Sequence, residues 1–255
     1  MAEPNPLAKL DRAEEHFAEL EGLIGDFTRP ERGGTHSFVQ ETWHMADGDW
    51  EVIKCEAVVR SPPPRLGLIA GDAMHNVRAA LDHLAARLVL ANGCEITRRT
   101  QFPIYDHEPG AREARRINGN LEGMDEDDAQ LIREMQPYLE MGSWRSKRLL
   151  DLAHMDNHDK HRVVHPAYGK SDAITIYPDP PDLAGKPPVD YLQFVAVVPG
   201  TPLLRWRTDG PLRGVRADFR FTIGFGEAPR EPLTLRQLRR IRDEVRNIVE
   251  SFSRA

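Results

Sequence analysis

The chain has 255 residues, of which 40% are hydrophobic and 29% charged, so it can bury a sizeable core in one or two globular domains. Its net charge of −6 excludes a general nucleic-acid coat protein, and no apolar run approaches the roughly 20 residues of a membrane helix. The two cysteines have no metal-type spacing and the N-terminus lacks a signal-peptide core, so we expect a cytoplasmic protein that does not enter a membrane.

The beginning of the chain predicts a helix followed by a β-hairpin. Apolar residues at steps of three and four indicate an amphipathic helix over residues 7–24. Two runs rich in β-branched and aromatic residues then flank the pair Asp47-Gly48, which is typical of a hairpin turn. Three prolines follow the second run and end its strand, because proline cannot donate to a ladder.

The rest of the chain alternates between groups of helices and groups of strands. A long helix is predicted over residues 66–91, where Asn92-Gly93 ends it, and a loop follows. The later predicted elements are helices over 113–135 (with a weak middle) and 146–163, strands over 173–177, 191–198, 203–207 and 215–225, and a capped final helix from residue 234.

This order of elements predicts an α+β fold: a helical bundle with an adjoining antiparallel sheet. Both terminal helices are amphipathic and are expected in the bundle, so residues 1–255 are predicted to form one integrated domain. The predicted helical core covers about 1–30, 62–165 and 232–255, and the predicted strand regions cover about 34–60 and 172–227.

The long helix carries a polar face opposite its apolar stripe. At 100° per residue, its polar side chains fall within an arc of roughly 120°. They are Asp72, His75, Asn76, Asp82 and His83, with Arg78 at the edge. The face has no Glu or Lys, the residues that dominate solvated faces, and collects types used in acid–base chemistry, metal ligation and phosphate binding. A solvated face is the alternative.

The helix over 146–163 has a comparable polar face. Its arc consists of Asp151, His154, His158, His161 and Arg162. The spacing Asp-x-x-His occurs here and in the long helix, so two helices that pack side by side would bring both arcs into one cleft. A helix end, whose His and Arg side chains bind the last carbonyls, is the alternative.

Arg78 and His83 have the spacing Arg-x4-His, which resembles the signature of HEPN-domain ribonucleases, all-helical domains of bacterial toxins and defence systems. The resemblance implies a homodimer whose motifs meet at the interface. It also implies RNA cleavage that needs no metal or other cofactor, with His83 as general acid or base and Arg78 on the scissile phosphate.

A second resemblance covers roughly residues 60–165. The motif Gly-Asp-x-x-His-Asn-x-Arg-x-Ala-Leu-Asp-His, a following Phe-Pro-Ile at 102–104 and a later Asp-Lys-His-Arg are similar to a widespread set of bacterial proteins without an assigned activity. This resemblance implies a site formed by these segments but no particular reaction.

Two other interpretations stay open. The carboxylate–imidazole spacing of Asp72 with His75, repeated by Asp151 with His154, is that of helical metal sites, and would suit a hydrolase with zinc, manganese or iron. His154 and His158 could instead supply a zinc-type pair. In the non-catalytic interpretation, the arcs form a buried network or a docking surface.

Other residues carry weaker signals. The final helix has an arginine side that is either solvated or in contact with RNA, formed by Arg236, Arg239, Arg240, Arg242 and Arg246. The tryptophans are expected in the core or in a sheet, and are Trp43, Trp50, Trp144 and Trp206. Cys55 lies in a predicted strand and is expected to be buried and inert.

Overall fold

The fold is α+β, with a bundle of helices and antiparallel sheet, as the sequence predicts. The computed structural model describes residues 3–28, 36–45, 48–58, 60–161, 166–179, 190–191, 200, 202–207, 214–226 and 232–252. In chain order, the elements are α1 (Pro6–Thr28), β1 (His36–Met45), β2 (Gly48–Val58), α2 (Pro64–Ala91), α3 (Ala111–Leu121), α4 (Glu126–Glu134), a 3₁₀ helix (Pro137–Glu140), α5 (Trp144–His161), β3 (Pro166–Asp179), β4 (Asp190–Tyr191), β5 (Pro202–Arg207), β6 (Gly214–Phe225), β7 (Leu233–Thr234) and α6 (Leu235–Ser251). Among them, no helix has the length and apolar character needed to cross a bilayer.

The chain divides into two compact units. The helical unit consists of Met1–Glu21, Gly67–Val164 and Leu235–Ala255, and the sheet unit consists of Gly22–Leu66 and His165–Thr234. The first and last helices both contribute to the helical unit, as predicted. The single integrated domain stays a prediction.

The sheet unit contains two antiparallel sheets within its described strands. One has the order β1-β2-β5-β4 and the other the order β3-β6-β7. β1 and β2 form the predicted hairpin, with Trp43 opposite Trp50 and Met45 opposite Gly48. Because Gly48 pairs with Met45, it belongs to the ladder rather than to the predicted turn. The connection between these two residues has the usual length of two residues. Asp47 lies outside the described residues.

Three helix boundaries show how local sequence sets the elements. The side-chain oxygen of Asn5 accepts a hydrogen bond from the backbone N–H of Ala8 at 3.0 Å and so caps α1. α2 ends as predicted where Gly93 adopts a φ of 71°. The predicted helix over 113–135 divides into α3 and α4, because Gly123 takes a φ of 89° between them.

The predicted apolar stripes form the core of the helical unit. On α1 the buried stripe is Leu10, Ala13, Phe17 and Leu20. On α2 it is Ile69, Ala70, Ala73, Val77, Ala80, Leu81, Leu84 and Leu88. On α6 it is Leu238, Ile241, Val245, Ile248, Val249 and Phe252. The hydrophobic periodicity thus identified the inward face of each helix.

α1 and α6 pack antiparallel and are joined by ion pairs. These pairs are Arg239 with Glu21 at 2.9 Å, Arg242 with Glu14 at 3.0 Å and Arg246 with Asp11 at 3.1 Å. The hydrogen bond from Arg239 lowers the pKa of Glu21. Three arginines of α6 are therefore neutralised by α1, and do not form a free cationic face.

The tryptophans divide between sheet and surface. Trp43, Trp50 and Trp206 lie in β1, β2 and β5, as predicted. Trp144 is 71% exposed at the start of α5, so its prediction as a core or sheet residue is wrong. The reason is local, because Ser146 is the residue that turns inward, and its hydroxyl donates to the Glu140 carbonyl at 2.9 Å. The side chain of Cys55 lies outside the described part of the chain.

Candidate functional site

α2 and α5 make contact at His75, which belongs to the polar face of α2, and at Asp156, which lies outside the polar face predicted for α5. Nδ1 of His75 lies 3.1 Å from Oδ1 of Asp156. The Asp156 side chain is 3% exposed, whereas that of His75 is 55% exposed. The pair therefore joins a buried carboxylate to an imidazole that solvent, or a substrate, can reach.

Sequence reasoning missed Asp156, although it lies three residues before the Asp-Lys-His-Arg motif. Its residue number is seven above that of Leu149 and four above that of Leu152, which are both buried, so it lies on the apolar side of the helix. A carboxylate at such a position needs a polar partner, because an unpaired buried charge is very costly. A charged residue at an apolar position of the helix was the sequence signal that could have identified Asp156.

The contact orients the imidazole of His75. A carboxylate that accepts from Nδ1 favours the neutral tautomer with its proton on that nitrogen. Nε2 is then left as a proton acceptor. A histidine base held by a buried carboxylate is a recurring arrangement in acid–base catalysis.

Arg78 and Asp82 bind the backbone of Phe102. Nη2 of Arg78 donates to the Phe102 carbonyl at 2.6 Å and to Oδ1 of Asp82 at 3.1 Å. The same Asp82 oxygen accepts from the Phe102 N–H at 3.0 Å. Nη1 of Arg78 is buried and has no hydrogen-bond partner among the described residues. In this arrangement Arg78 faces the chain rather than an open cleft, which leaves the expected contact with a phosphate without geometric support.

Gln136 holds the other end of the same segment, 102–105. Its Nε2 donates to the Pro103 carbonyl at 2.9 Å and to the Ile132 carbonyl at 3.1 Å. Its Oε1 accepts from the Tyr105 N–H at 3.1 Å. Because Gln136 is only 2% exposed, it connects this segment to the end of α4 from inside the helical unit.

Two further α2 candidates, His83 and Asn76, form hydrogen bonds with backbone atoms. Nδ1 of His83 accepts a hydrogen bond from the Asn5 N–H at 3.2 Å, at the start of α1. Asn76 donates to the backbone carbonyl of Asp72 at 2.8 Å, within its own helix. Within the described residues, no hydrogen bond or ion pair joins Arg78 to His83.

The α5 candidates are described only in part. Asp151 and His154 are half-buried. The side chains of His158 and His161, and the whole of Arg162, lie outside the described part of the chain. Among the described side chains, no group of three or more His, Cys, Asp or Glu is placed to hold a metal ion. The alternative metal site therefore lacks a ligand set within the described residues.

A second histidine cluster lies beside α3 and was not identified from the sequence. Nδ1 of His107 is 2.6 Å from Oδ1 of Asp106, and Nε2 is 3.2 Å from Oε2 of Glu113. The hydrogen bond with Asp106, followed by that with Glu113, raises the pKa of His107. The Gly110 N–H, followed by His107, lowers the pKa of Glu113. An Asp-His pair just before a helix with Glu in its first turn was the available signal.

Comparison with known proteins found no matching family model, no matching curated protein and no matching solved structure. The resemblance to HEPN-domain ribonucleases stays a prediction. The geometric features of the site are the contact between His75 and Asp156 and the two attachments of segment 102–105.

Proposed function

We propose that this chain cleaves RNA without a metal ion, with His75 as general base and Asp156 as its positioning residue. The observation that carries the proposal is the 3.1 Å contact between Nδ1 of His75 and the buried carboxylate. The exposed imidazole supplies a reachable proton acceptor, and the carboxylate supplies its orientation. We place this activity in the reducing cytoplasm, which the exposed free thiol of Cys94 favours.

The proposed reaction begins when Nε2 of His75 takes the proton of a ribose 2′-hydroxyl. The 2′-oxygen attacks the adjacent phosphorus, and the bond from phosphorus to the 5′-oxygen breaks. The leaving oxygen takes a proton from solvent water, which gives a 2′,3′-cyclic phosphate and a 5′-hydroxyl, and His75 returns its proton to the solvent. Asp156 stabilises the imidazolium that forms on His75.

We also propose that the chain acts as a homodimer through the exposed side of α2. Leu68 and Leu90, which are 52% and 42% exposed, lie at equal distances in sequence on either side of Ala79. His75 and His83 are likewise placed symmetrically about this small residue. Such a self-complementary face suits a two-fold contact between copies, in which Ala79 allows close approach. Ala79→Arg is expected to convert a dimer to a monomer in sedimentation.

RNA incubated with the protein in EDTA tests the proposed reaction. Cleavage should leave a cyclic phosphate, and His75→Ala should slow it by about 10²- to 10⁴-fold, the usual contribution of a general base. His107→Ala, which removes an exposed histidine outside the site, is the matched control. Cleavage that survives in His75→Ala would refute the assignment.

The split between kcat and KM separates a positioning role for Asp156 from a purely structural one. Asp156→Asn keeps the shape of the side chain but removes the carboxylate that orients the imidazole of His75. We expect a lower kcat per folded molecule with KM almost unchanged. A variant that is slower only because less protein is folded would keep the original kcat once the rate is divided by the folded fraction from circular dichroism.

A structural role is our second proposal for Arg78, Asp82 and Gln136, because their side chains hold the backbone of segment 102–105. Arg78→Ala should lower the melting temperature, since it leaves the buried Phe102 carbonyl without its donor. At temperatures where the variant stays folded, cleavage should be slowed much less than in His75→Ala.

A further inference from the structure

Five arginines form an exposed cationic surface around α3, which we call the arginine surface. They are Arg98, Arg99, Arg112, Arg115 and Arg116. All five are exposed. Within the described part of the chain, none of their guanidinium groups forms an ion pair or a side-chain hydrogen bond. In a protein whose net charge is −6, five exposed guanidinium groups without a direct ion pair need an explanation.

The three arginines of α3 share the outer side of that helix. At 100° per residue they lie within about 100° of one another, and opposite the buried Ile117 and Leu121. The core contacts of α3 therefore hold the arginines in a row that faces solvent. A helix presents such a row with little freedom in its backbone.

Arg99 joins this row from the preceding loop. Its Cδ lies 3.4 Å from the position that a Cβ on Gly119 would occupy, so its side chain crosses α3 over a glycine. Asn120 in the same turn anchors the loop, since its carbonyl accepts from the Gln101 N–H at 3.4 Å. A Cβ at Gly119 would be in van der Waals contact with Arg99, so a fourth arginine side chain lies against the helix.

The contrast with α6 shows why the surface is distinctive. Arg239, Arg242 and Arg246 of α6 all pair with carboxylates of α1. The arginines around α3 have no such partners among the described residues. The sequence suggested α6 as the candidate RNA contact, but three α6 arginines are engaged in ion pairs. The arginines around α3 are therefore the larger group of available guanidinium groups.

The arginine surface is connected to the proposed site through a short stretch of chain. Arg99 is three residues before Phe102, a span of at most about 11 Å. The Phe102 carbonyl binds Arg78 at 2.6 Å, and Arg78 lies three residues from His75 on α2, a rise of about 4.5 Å. Segment 99–102 and the Arg78 side chain thus link the arginine surface to the helix that carries His75.

We infer that the arginine surface binds the phosphates of single-stranded RNA and brings the strand to His75. This inference rests on the proposed function and names its substrate as a flexible strand. Guanidinium groups bind phosphate oxygens through paired hydrogen bonds, and they do so best where no carboxylate competes. A single strand is favoured because attack by a 2′-hydroxyl requires a backbone rotation that a regular duplex resists.

The test measures binding separately from cleavage. Fluorescein-labelled oligouridine is titrated with the His75→Ala protein in EDTA, and anisotropy gives Kd at several salt concentrations. Each phosphate contact on a single strand contributes about 0.7 to the slope of log K against log salt. The double variant Arg112→Ala/Arg116→Ala should therefore lower the magnitude of the slope by about 1.4, with weaker binding at low salt.

A matched control exists on α6. Arg236 and Arg240 are exposed, have the same i, i+4 spacing and carry the same charge. Their double alanine variant should leave the slope unchanged. Equal losses in the two double variants would overturn the inference, because total charge would then drive binding. The inference would also be overturned if the protein bound an RNA duplex, or vesicles of phosphatidylcholine with phosphatidylserine, more tightly than oligouridine.

The cleavage assay distinguishes failure of this inference from failure of the proposed function. If oligouridine binds through Arg112 and Arg116 but His75-dependent cleavage is absent, RNA binding by the arginine surface is supported and the proposed reaction is refuted. If cleavage depends on His75 but the KM for RNA is unchanged in Arg112→Ala/Arg116→Ala, the proposed reaction is supported and RNA binding by the arginine surface is refuted. The melting temperature should be unchanged in both double variants, since all four side chains are exposed.

Discussion

Replacement of Gln136 by methionine tests whether this residue holds segment 102–105 from inside the helical unit. Methionine has a similar length but neither donates as an amide nor accepts as a carbonyl. The Pro103 carbonyl and the Tyr105 N–H would lose their partners at 2.9 and 3.1 Å. An unsatisfied buried group costs about 1–3 kcal/mol, and Tyr105 is only partly buried, so we expect a loss of about 2–4 kcal/mol in the free energy of unfolding.

Urea unfolding followed by circular dichroism measures this loss, and amide hydrogen exchange locates it. The Tyr105 amide should exchange about 5- to 150-fold faster, the equivalent of 1–3 kcal/mol. The Phe102 amide should change less, because Asp82 still accepts its hydrogen bond. Gln130→Met on α4 is the matched control, since that exposed glutamine bonds only to Glu134 among its described contacts. Equal stabilities of the two variants, or an unchanged Tyr105 amide, would refute the reasoning.

Three further predictions concern stability. The carboxylates that raise the pKa of His107 stabilise the folded state at pH values below 6.5, the ordinary pKa of histidine. This contribution is lost as the pH rises through the pKa of His107 in the folded state. The difference in urea midpoint between the wild type and His107→Gln should therefore shrink with rising pH, and a constant difference would contradict it. Glu244→Ala removes the carboxylate that binds two arginines of α5, and should cost about 1–3 kcal/mol, whereas the exposed Glu250→Ala should cost almost nothing in the same thermal melts. Gly119→Ala should raise the free energy of unfolding by about 0.5–1 kcal/mol, because alanine has the higher helix propensity. Gly123→Ala should lower it, because the φ of Gly123 is 89°. A change of the same sign in both variants would show that the backbone argument is wrong.

The fold was largely predictable because its signals are local. Apolar periodicity identified the buried sides of α1, α2 and α6, and the glycine after α2 identified its end. These features depend on residues within one or two helical turns of each other. The two-unit division and the split into two sheets were not predicted, because they depend on pairings between distant strands.

The site was predictable only as a region. The polar face of α2 does contact α5, but through Asp156, which periodicity assigns to the apolar side of α5, so the predicted meeting of the two polar faces stays a prediction. Arg78 and His83 have a suggestive spacing, yet Arg78 binds Phe102 and His83 binds Asn5. The partner of His83 is 78 positions away in sequence, and no local pattern specifies such a contact.

The packing of α6 on α1 also has a consequence for folding during synthesis. The carboxylates of α1 receive their α6 partners only after residue 235 has been made. At 5–20 residues per second, the interval from residue 21 is roughly 10–40 s. For that time the nascent helical unit exposes part of its core, so a ribosome that stalls within the sheet unit would present a surface suited to chaperone binding.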